Sequence, residues 1–372
     1  MPDLSMNIEH VTRIEGHGNI VVDVKNGEIK KCQWQVVEAP RFFEAMVRGR
    51  KWDELAHVTS RICGICSVGH TMASLKATEQ AMGVTPSEQT VTLRKLLKHA
   101  ENFQSHVLHV GYLVLPDLLG VGSVFPLATT HRQAVLTVIR LHHLANDICD
   151  LIDGRTTHPI SCVVNGFTRL PDLKALEKIK ERLTRAIPDL KAVMEVVKSI
   201  ADRLPAFERQ TEYIGLKSEG EYAIYDGKIA STDTYPVEEY RSIVNEYVVP
   251  QSTAKYTRHS RDSYMVGALA RFNLNYEQLT PLAEKVAEEL GLRAACYNPY
   301  MNSIAQLVEV LYSVEECIRL IEEILDKGLK REDCRIEVKE GRGVGAVEVP
   351  KGILFHEYTY NKDGTSVWRP TV

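Results

Sequence analysis

The sequence predicts a mainly α-helical body with β pieces at both ends. Two observations lead there. The middle of the 372-residue chain carries long patterns with apolar residues at helical spacing. Both ends instead alternate polar and apolar residues in the manner of strands. No internal repeat or low-complexity linker divides the chain. Residues 1–372 therefore read as a single domain, with an N-terminal β piece over 5–37, a helical core over 70–330 and a β tail over 335–361.

Each element follows from its own pattern. "NIVVDVKNGEIKKCQWQVV" reads as a hairpin turning at Asn26–Gly27, a pair that tolerates the positive φ angles of a tight turn. A helix is expected over 70–83. Longer helices over 92–115 and 132–153 are apolar all round, which suits central, buried positions. Two amphipathic helices follow, with Pro171 and Pro188 near their starts, where proline is tolerated. Residues 211–235 are polar, with "YDGK" as a hairpin turn. Helices return over 276–290 and 303–328. The tail "RIEVKEGRGVGAVEVPKGILFHEYTY" reads as strands.

Composition excludes several classes of function. A net charge of −4 with no dense Lys/Arg block gives no reason to expect nucleic acid. No apolar run reaches the roughly 18 residues that span a bilayer. The first residues lack a basic region followed by an apolar one, so no secretory signal is expected and a cytoplasmic location is the default. Of eight cysteines, six are scattered singly and read as reduced core residues. Only Cys63 and Cys66, in "TSRICGICSVGH", have ligand spacing.

A C-x-x-C pair points to a metal or to a redox disulfide. A structural zinc site wants four ligands, and no second knuckle exists. A thioredoxin-like motif wants a βαβ setting, which the long helices after Cys66 do not supply. Two thiolates favour soft or borderline metals such as nickel, iron, zinc or copper(I). Spacing alone leaves open an incomplete metal site and an ordinary pair of cysteines.

The surroundings add a resemblance. "VTRIEGHG" (11–18), "RICGICSVGH" (61–70), "IDGRTTHP" (152–159) and "VPKGILFHEY" (349–358) occur in that order. So do "FQSHVLH" (103–109), "YAIYDGKI" (222–229) and "NPYMNSIAQLVE" (298–309). Together they resemble the large subunit of nickel–iron hydrogenases along essentially the whole chain, and most of all the cytoplasmic methanogen-type and bidirectional enzymes. The resemblance implies a hydrogenase large-subunit-like fold and reversible heterolytic cleavage of H2. It implies a nickel–iron centre whose iron carries CN and CO, with Cys63 as a terminal nickel ligand and Cys66 bridging the two metals. His70 falls where the family hydrogen-bonds a bridging sulfur, which tunes the metal. Glu15 matches the glutamate that relays protons, and heterolysis needs a titratable group nearby. Glu44 matches a carboxylate ligand for Mg2+ or Fe2+, a hard ion that suits oxygen. Read alone, Glu15 would be a surface strand residue, Glu44 a helix surface residue and His70 a helix histidine.

Three departures bear on these roles. The family ends in D-P-C-x-x-C-x-x-H, whereas this sequence ends "DGTSVWRPTV". A longer chain, or a separate cysteine- or selenocysteine-bearing peptide, is expected to supply the second pair. Cys296, Cys317 and Cys334 are not expected to replace it. Lys351 stands in place of an arginine over the open metal face, and a lysine desolvated in a pocket gives up its proton more readily than an arginine. Ser105 stands where periplasmic relatives carry an aspartate. The implied partners are an iron–sulfur small subunit holding all the clusters, further electron-transfer subunits and maturation factors. The alternatives are a metal-free precursor and a structural subunit related to the quinone-module subunit of respiratory complex I. The tail, ending near Tyr360, is expected to return beside Cys63 and Cys66, leaving a cleft lined by Glu15, Glu44, Cys63, Cys66, His70 and Lys351.

Overall fold

The computed structural model describes residues 3–367. The last residues of the 363–372 segment, on which the reading of the chain's end rests, lie outside them. Three strands, Leu4–Ile8, Gly18–Lys25 and Glu28–Val36, form an antiparallel sheet in that order. The hairpin turns at Asn26 and Gly27, with φ of 51° and 81°, as a type I′ turn requires. The link before Gly18 carries Glu15. It is tied to the helical body by Arg13, which donates to Asp117 at 3.0 Å and to the Gly122 carbonyl at 2.9 Å.

The body is built from helices Ser67–Met82, Glu88–Leu108, Arg132–Asp153, Leu173–Lys198 and Asn302–Lys327. The Glu88–Leu108 helix lies at the centre, with Leu93, Leu96, Leu97, Ala100 and Phe103 fully buried. Ser87 caps it by accepting from the Thr90 amide. Its far end passes through a π-helical turn, His109–Val114, into Leu115–Leu118.

Three expectations need correction. Leu173–Lys198 is one helix with Pro188 inside it, not two. Its apolar stripe (Leu176, Ile179, Leu183, Ala186, Leu190, Val193, Val197) stays in phase across Pro188, whose ring lies on the exposed side. Burial of that stripe outweighs the roughly 3 kcal/mol that an interior proline costs. "YDGK" is not a tight turn: Gly215–Lys217 pairs with Lys228–Ala230, so the link spans 218–227. Tyr222, Ala223, Ile224 and Tyr225 in that link are buried, because they dip into the core before the chain returns. The helix expected over 276–290 is shorter, Pro281–Glu289, with Tyr276–Gln278 in a 3-10 turn, and a further helix that was not expected, Ala268–Asn275, precedes that turn. Thr280 caps Pro281–Glu289 and Pro281 opens it.

The C-terminal hairpin positions the site. Strands Gly341–Val349 and Gly352–Tyr360 pair antiparallel, and Pro350–Lys351 form the turn. The first strand lies along the Ser67–Met82 helix. A Cβ on Gly341, Gly343 or Gly345 would come within 2.0 Å of the carbonyl oxygens of Ala81, Ala77 and Ala73 respectively. Two residues of strand advance about 6.7 Å and four of helix about 6 Å, so the two repeats stay in step. Further along, Gly69 leaves room for Val349, whose Cγ1 a Cβ there would meet at 2.0 Å. This close contact carries the Pro350–Lys351 turn to the N-terminus of the helix, where Cys66 is. The turn of the hairpin, and not the end of the tail, is thus what reaches the cysteine pair: Tyr360, expected beside it, bonds Thr78 and pairs with Gly341 near the other end of the helix, because the second strand runs back along the first.

Candidate metal centre

Cys63 and Cys66 bracket the bend between a short 3-10 turn, Ser60–Ile62, and the Ser67–Met82 helix, for which Cys66 is the N-cap residue. Both are buried, at 8% and 4% exposure. The Cys66 amide donates to Cys63 Sγ at 3.1 Å. A helix N-terminus carries partial positive charge and favours the thiolate form of a cysteine placed there. The structure joins the two sulfurs as a disulfide, where the sequence leads one to expect thiolates. Their Cα atoms are 5.5 Å apart, within the span a disulfide bridges.

Two charged side chains meet this pair. Glu15 Oε2 lies 3.3 Å from Cys63 Sγ, and Glu15 Oε1 accepts from the Gly64 amide at 3.2 Å. Lys351 Nζ lies 3.5 Å from Cys63 Sγ and pairs with Glu15. Glu15, Cys63 and Lys351 come from the N-terminal link, the start of the helix and the C-terminal turn. The fold therefore brings together residues 336 positions apart.

The bend is also held from behind. In "IDGRTTHP", the His158 amide donates to Ser67 Oγ at 2.9 Å and its ring bonds the Ser60 carbonyl at 2.9 Å. Asp153 holds the base of that loop by accepting from the amides of Ser161 and Cys162. Burial pushes the Asp153 carboxyl up to about 7, although those amides pull it down. A carboxyl whose folded pKa lies above its unfolded one gives stability that is full below about pH 4 and lost as pH rises through about 7. Asp153→Asn should flatten this part of the stability–pH curve, a difference on the order of a few kcal/mol. Thermal unfolding of both proteins from pH 4 to 8 measures it.

The other expected site residues are placed differently. His70 is buried, and its Nδ1 bonds His356 Nε2 at 3.1 Å. His356 in turn bonds Tyr358 Oη at 2.6 Å. Burial, followed by the charges of Lys351 and Lys98, lowers His70 to about 3, so the imidazole is neutral. Among the described residues it makes no hydrogen bond to either sulfur. Glu44 pairs with Lys255 at 3.1 Å, and Lys255 also holds Glu246. The structure does not bring Glu44 into the network around Cys63. Ser105 is buried in the central helix. Cys317 is buried in the Asn302–Lys327 helix, the Cys296 amide and carbonyl are taken by Asn273, and the Cys334 sulfur packs against Gly166. Among the described residues, none of the three is bonded to the pair.

The donor chemistry fits a nickel–iron centre in part. Two adjacent sulfurs are a soft donor set that suits nickel and iron. Among the described residues, no group of three or more His, Cys, Asp or Glu is arranged to hold an ion. The described chain offers two sulfurs, with a carboxylate and an amine beside them.

Known proteins settle the family. The nickel-dependent hydrogenase family matches residues 41–135, and the HoxL-like family matches residues 5–39. The alpha subunit of sulfhydrogenase 1 from Pyrococcus furiosus is 32% identical over 356 residues, covering 95% of this chain and 83% of the relative. The chain belongs to the nickel-dependent hydrogenase large-subunit family. Its reaction class is oxidoreduction of H2. The vhu F420-non-reducing hydrogenase of Methanocaldococcus jannaschii contains a chain 30% identical to this one, over 97% of this chain and 92% of the relative. An NAD+-reducing [NiFe]-hydrogenase in the H2-reduced state has the same fold, with a TM-score of 0.87 and 25% identity over 99% of this chain and 88% of that one. The Ni-Fe-Se hydrogenase of D. vulgaris Hildenborough shares the fold at a TM-score of 0.81 and 21% identity, over 100% of this chain and 89% of that one. This hydrogenase subunit is a mainly helical protein with β ends, as expected. The structural-subunit alternative is not favoured, since the relatives are hydrogenase subunits. Among the described residues no helix is long and apolar enough to cross a membrane.

Sequence reading missed three residues around the site. His158 and His356 both lie inside the family-like motifs, but no spacing rule says what either one touches. Arg271 carried no signal, because nothing in "ALARFNLN" marks an arginine as fully buried.

Proposed function

We propose that Cys63 and Cys66, reduced to thiolates, hold one side of the nickel–iron centre, and that Glu15 and Lys351 handle the proton released when H2 is split. The observation that carries this reading is the meeting of Glu15, Cys63 and Lys351, with both charged groups within 3.5 Å of the sulfur. When bound, the metal pair supplies a Lewis acid that polarises H2, and CN and CO on iron set its electronic state.

Glu15 would take a proton at Oε2, the oxygen facing both Cys63 and Lys351. The Gly64 amide fixes Oε1, so the carboxylate presents one oxygen to the site. Lys351, half exposed, serves as a pendant amine that exchanges its proton with Glu15. His70, whose Nδ1 bonds His356 Nε2, would act on the sulfur ligands of the metal through its other ring nitrogen, the role that the family resemblance implies for it. Glu44, beside Lys255, would bind Mg2+ or Fe2+ only after that ion pair opens. Electrons leave to an iron–sulfur small subunit in the cytoplasm, and further electron-transfer subunits and maturation factors complete the assembly.

The test is Lys351→Met in the complete complex, which keeps the length of the side chain and removes the amine. H2/D2 exchange into water should fall by about tenfold or more with nickel and iron content unchanged. Exchange at the wild-type rate would remove Lys351 from the proton route.

A further inference from the structure

Behind the Pro350–Lys351 turn lies a buried charge cluster that takes no part in the proton route. Its centre is Arg271, on the Ala268–Asn275 helix and fully buried. Its Nε and Nη2 both donate to Glu309 at 2.7 Å. Nη1 donates to Glu348 at 2.9 Å and to the Val349 carbonyl at 2.8 Å. Nη2 also reaches the Pro350 carbonyl at 3.4 Å. A guanidinium has five N–H donors, and all five are used here. Two go to the consecutive carbonyls that lead into Lys351.

The carboxylates are themselves anchored. Glu309 accepts from Tyr222 at 2.8 Å and bonds His106 Nε2 at 2.7 Å. Glu348 accepts from the Leu216 amide at 2.7 Å. The Arg271 charge and its hydrogen bonds hold the Glu309 carboxyl far below the usual carboxylate range, despite burial. The turn is also pressed against the start of the Arg271 helix, where a Cβ on Gly267 would meet the Lys351 carbonyl at 3.2 Å. Arg271 thus joins three elements: its own helix, the Asn302–Lys327 helix through Glu309, and the C-terminal hairpin.

We propose that Arg271 is a positioning residue for Lys351: it clamps the Val349 and Pro350 carbonyls and so fixes the turn that sets the Lys351 amine against Cys63 and Glu15. This rests on the reading of Lys351 as the pendant amine, and two separate measurements distinguish the two claims. Lysine in place of Arg271 keeps the charge but has three donors on one nitrogen, so it cannot serve both carboxylates and both carbonyls.

The first measurement needs no metal. In the purified chain, amide hydrogen exchange of the 349–352 segment should rise roughly tenfold in Arg271→Lys, as expected when a local opening becomes easier. The labelling rate of the Lys351 amine by an amine-directed reagent at fixed pH should rise with it. The Glu88–Leu108 and Arg132–Asp153 helices should exchange as in wild type. Unchanged turn exchange, or a uniform rise throughout the chain, would overturn the proposal. Should Arg271→Lys not fold, Glu309→Gln weakens the same clamp at constant volume, and wild-type turn exchange there would overturn it equally. The second measurement uses the complete complex. Arg271→Lys added to Lys351→Met should lower H2/D2 exchange no further than Lys351→Met alone, and a further drop would show that Arg271 acts elsewhere. Full exchange in Lys351→Met alone would sink the reading of Lys351 and leave the clamp to the first measurement.

Discussion

Cys63→Ser and Cys66→Ser should each leave the complete complex without nickel and iron and with H2 activity at background. Serine keeps the shape of cysteine, so the bend and the Ser67–Met82 helix behind it should survive. What changes is the donor. A hydroxyl is harder than a thiolate and stays protonated at neutral pH, so it loses the match to nickel. Metal affinity depends on ligand count and on a preformed site, and this side offers only two sulfurs. Losing either halves the set. Elemental analysis, an H2 uptake assay and a melting curve on each variant separate loss of metal from loss of fold. An active double variant would end the hydrogenase reading of this pair.

Glu15→Gln should behave differently. The amide keeps the size of the carboxylate, and its oxygen still accepts from the Gly64 amide. Nickel and iron should therefore load normally. The titratable proton is gone, however, and so is the charge that pairs with Lys351. Turnover should drop by about 10²-fold, the size expected when a positioned acid–base group is lost. H2/D2 exchange into water should fall in parallel, since it needs the same proton route. Turnover and exchange at wild-type rates with full metal content would place the proton route elsewhere.

How much of this was legible in the sequence follows from what each signal encodes. Helix 132–153 and the Asn26–Gly27 turn were legible because their causes are local: a periodic apolar pattern and two residues that accept positive φ. Pro188 misled because its local rule was overridden by a buried stripe running through it. The 218–227 link misled because burial of Tyr222–Tyr225 is a tertiary fact. Motif order brought Glu15, Cys63 and Lys351 to attention, and the fold places them in contact. Nothing local marked Glu44 as a partner of Lys255, 211 residues away. Nor did the sequence show that Gly341, Gly343 and Gly345 are what lets a strand lie on helix carbonyls and deliver Lys351 to the cysteines. The regular two-residue spacing of those glycines was there to be read, but only the geometry of a strand against a helix gives it meaning.

X-ray absorption at the nickel edge of the active complex tests the central claim most directly. Nickel bound at Cys63 and Cys66 should show sulfur as its main near neighbour, and no nickel signal should remain in Cys63→Ser. A first shell made of nitrogen and oxygen, or an active complex without nickel, would contradict the assignment of this pair as the metal's ligands.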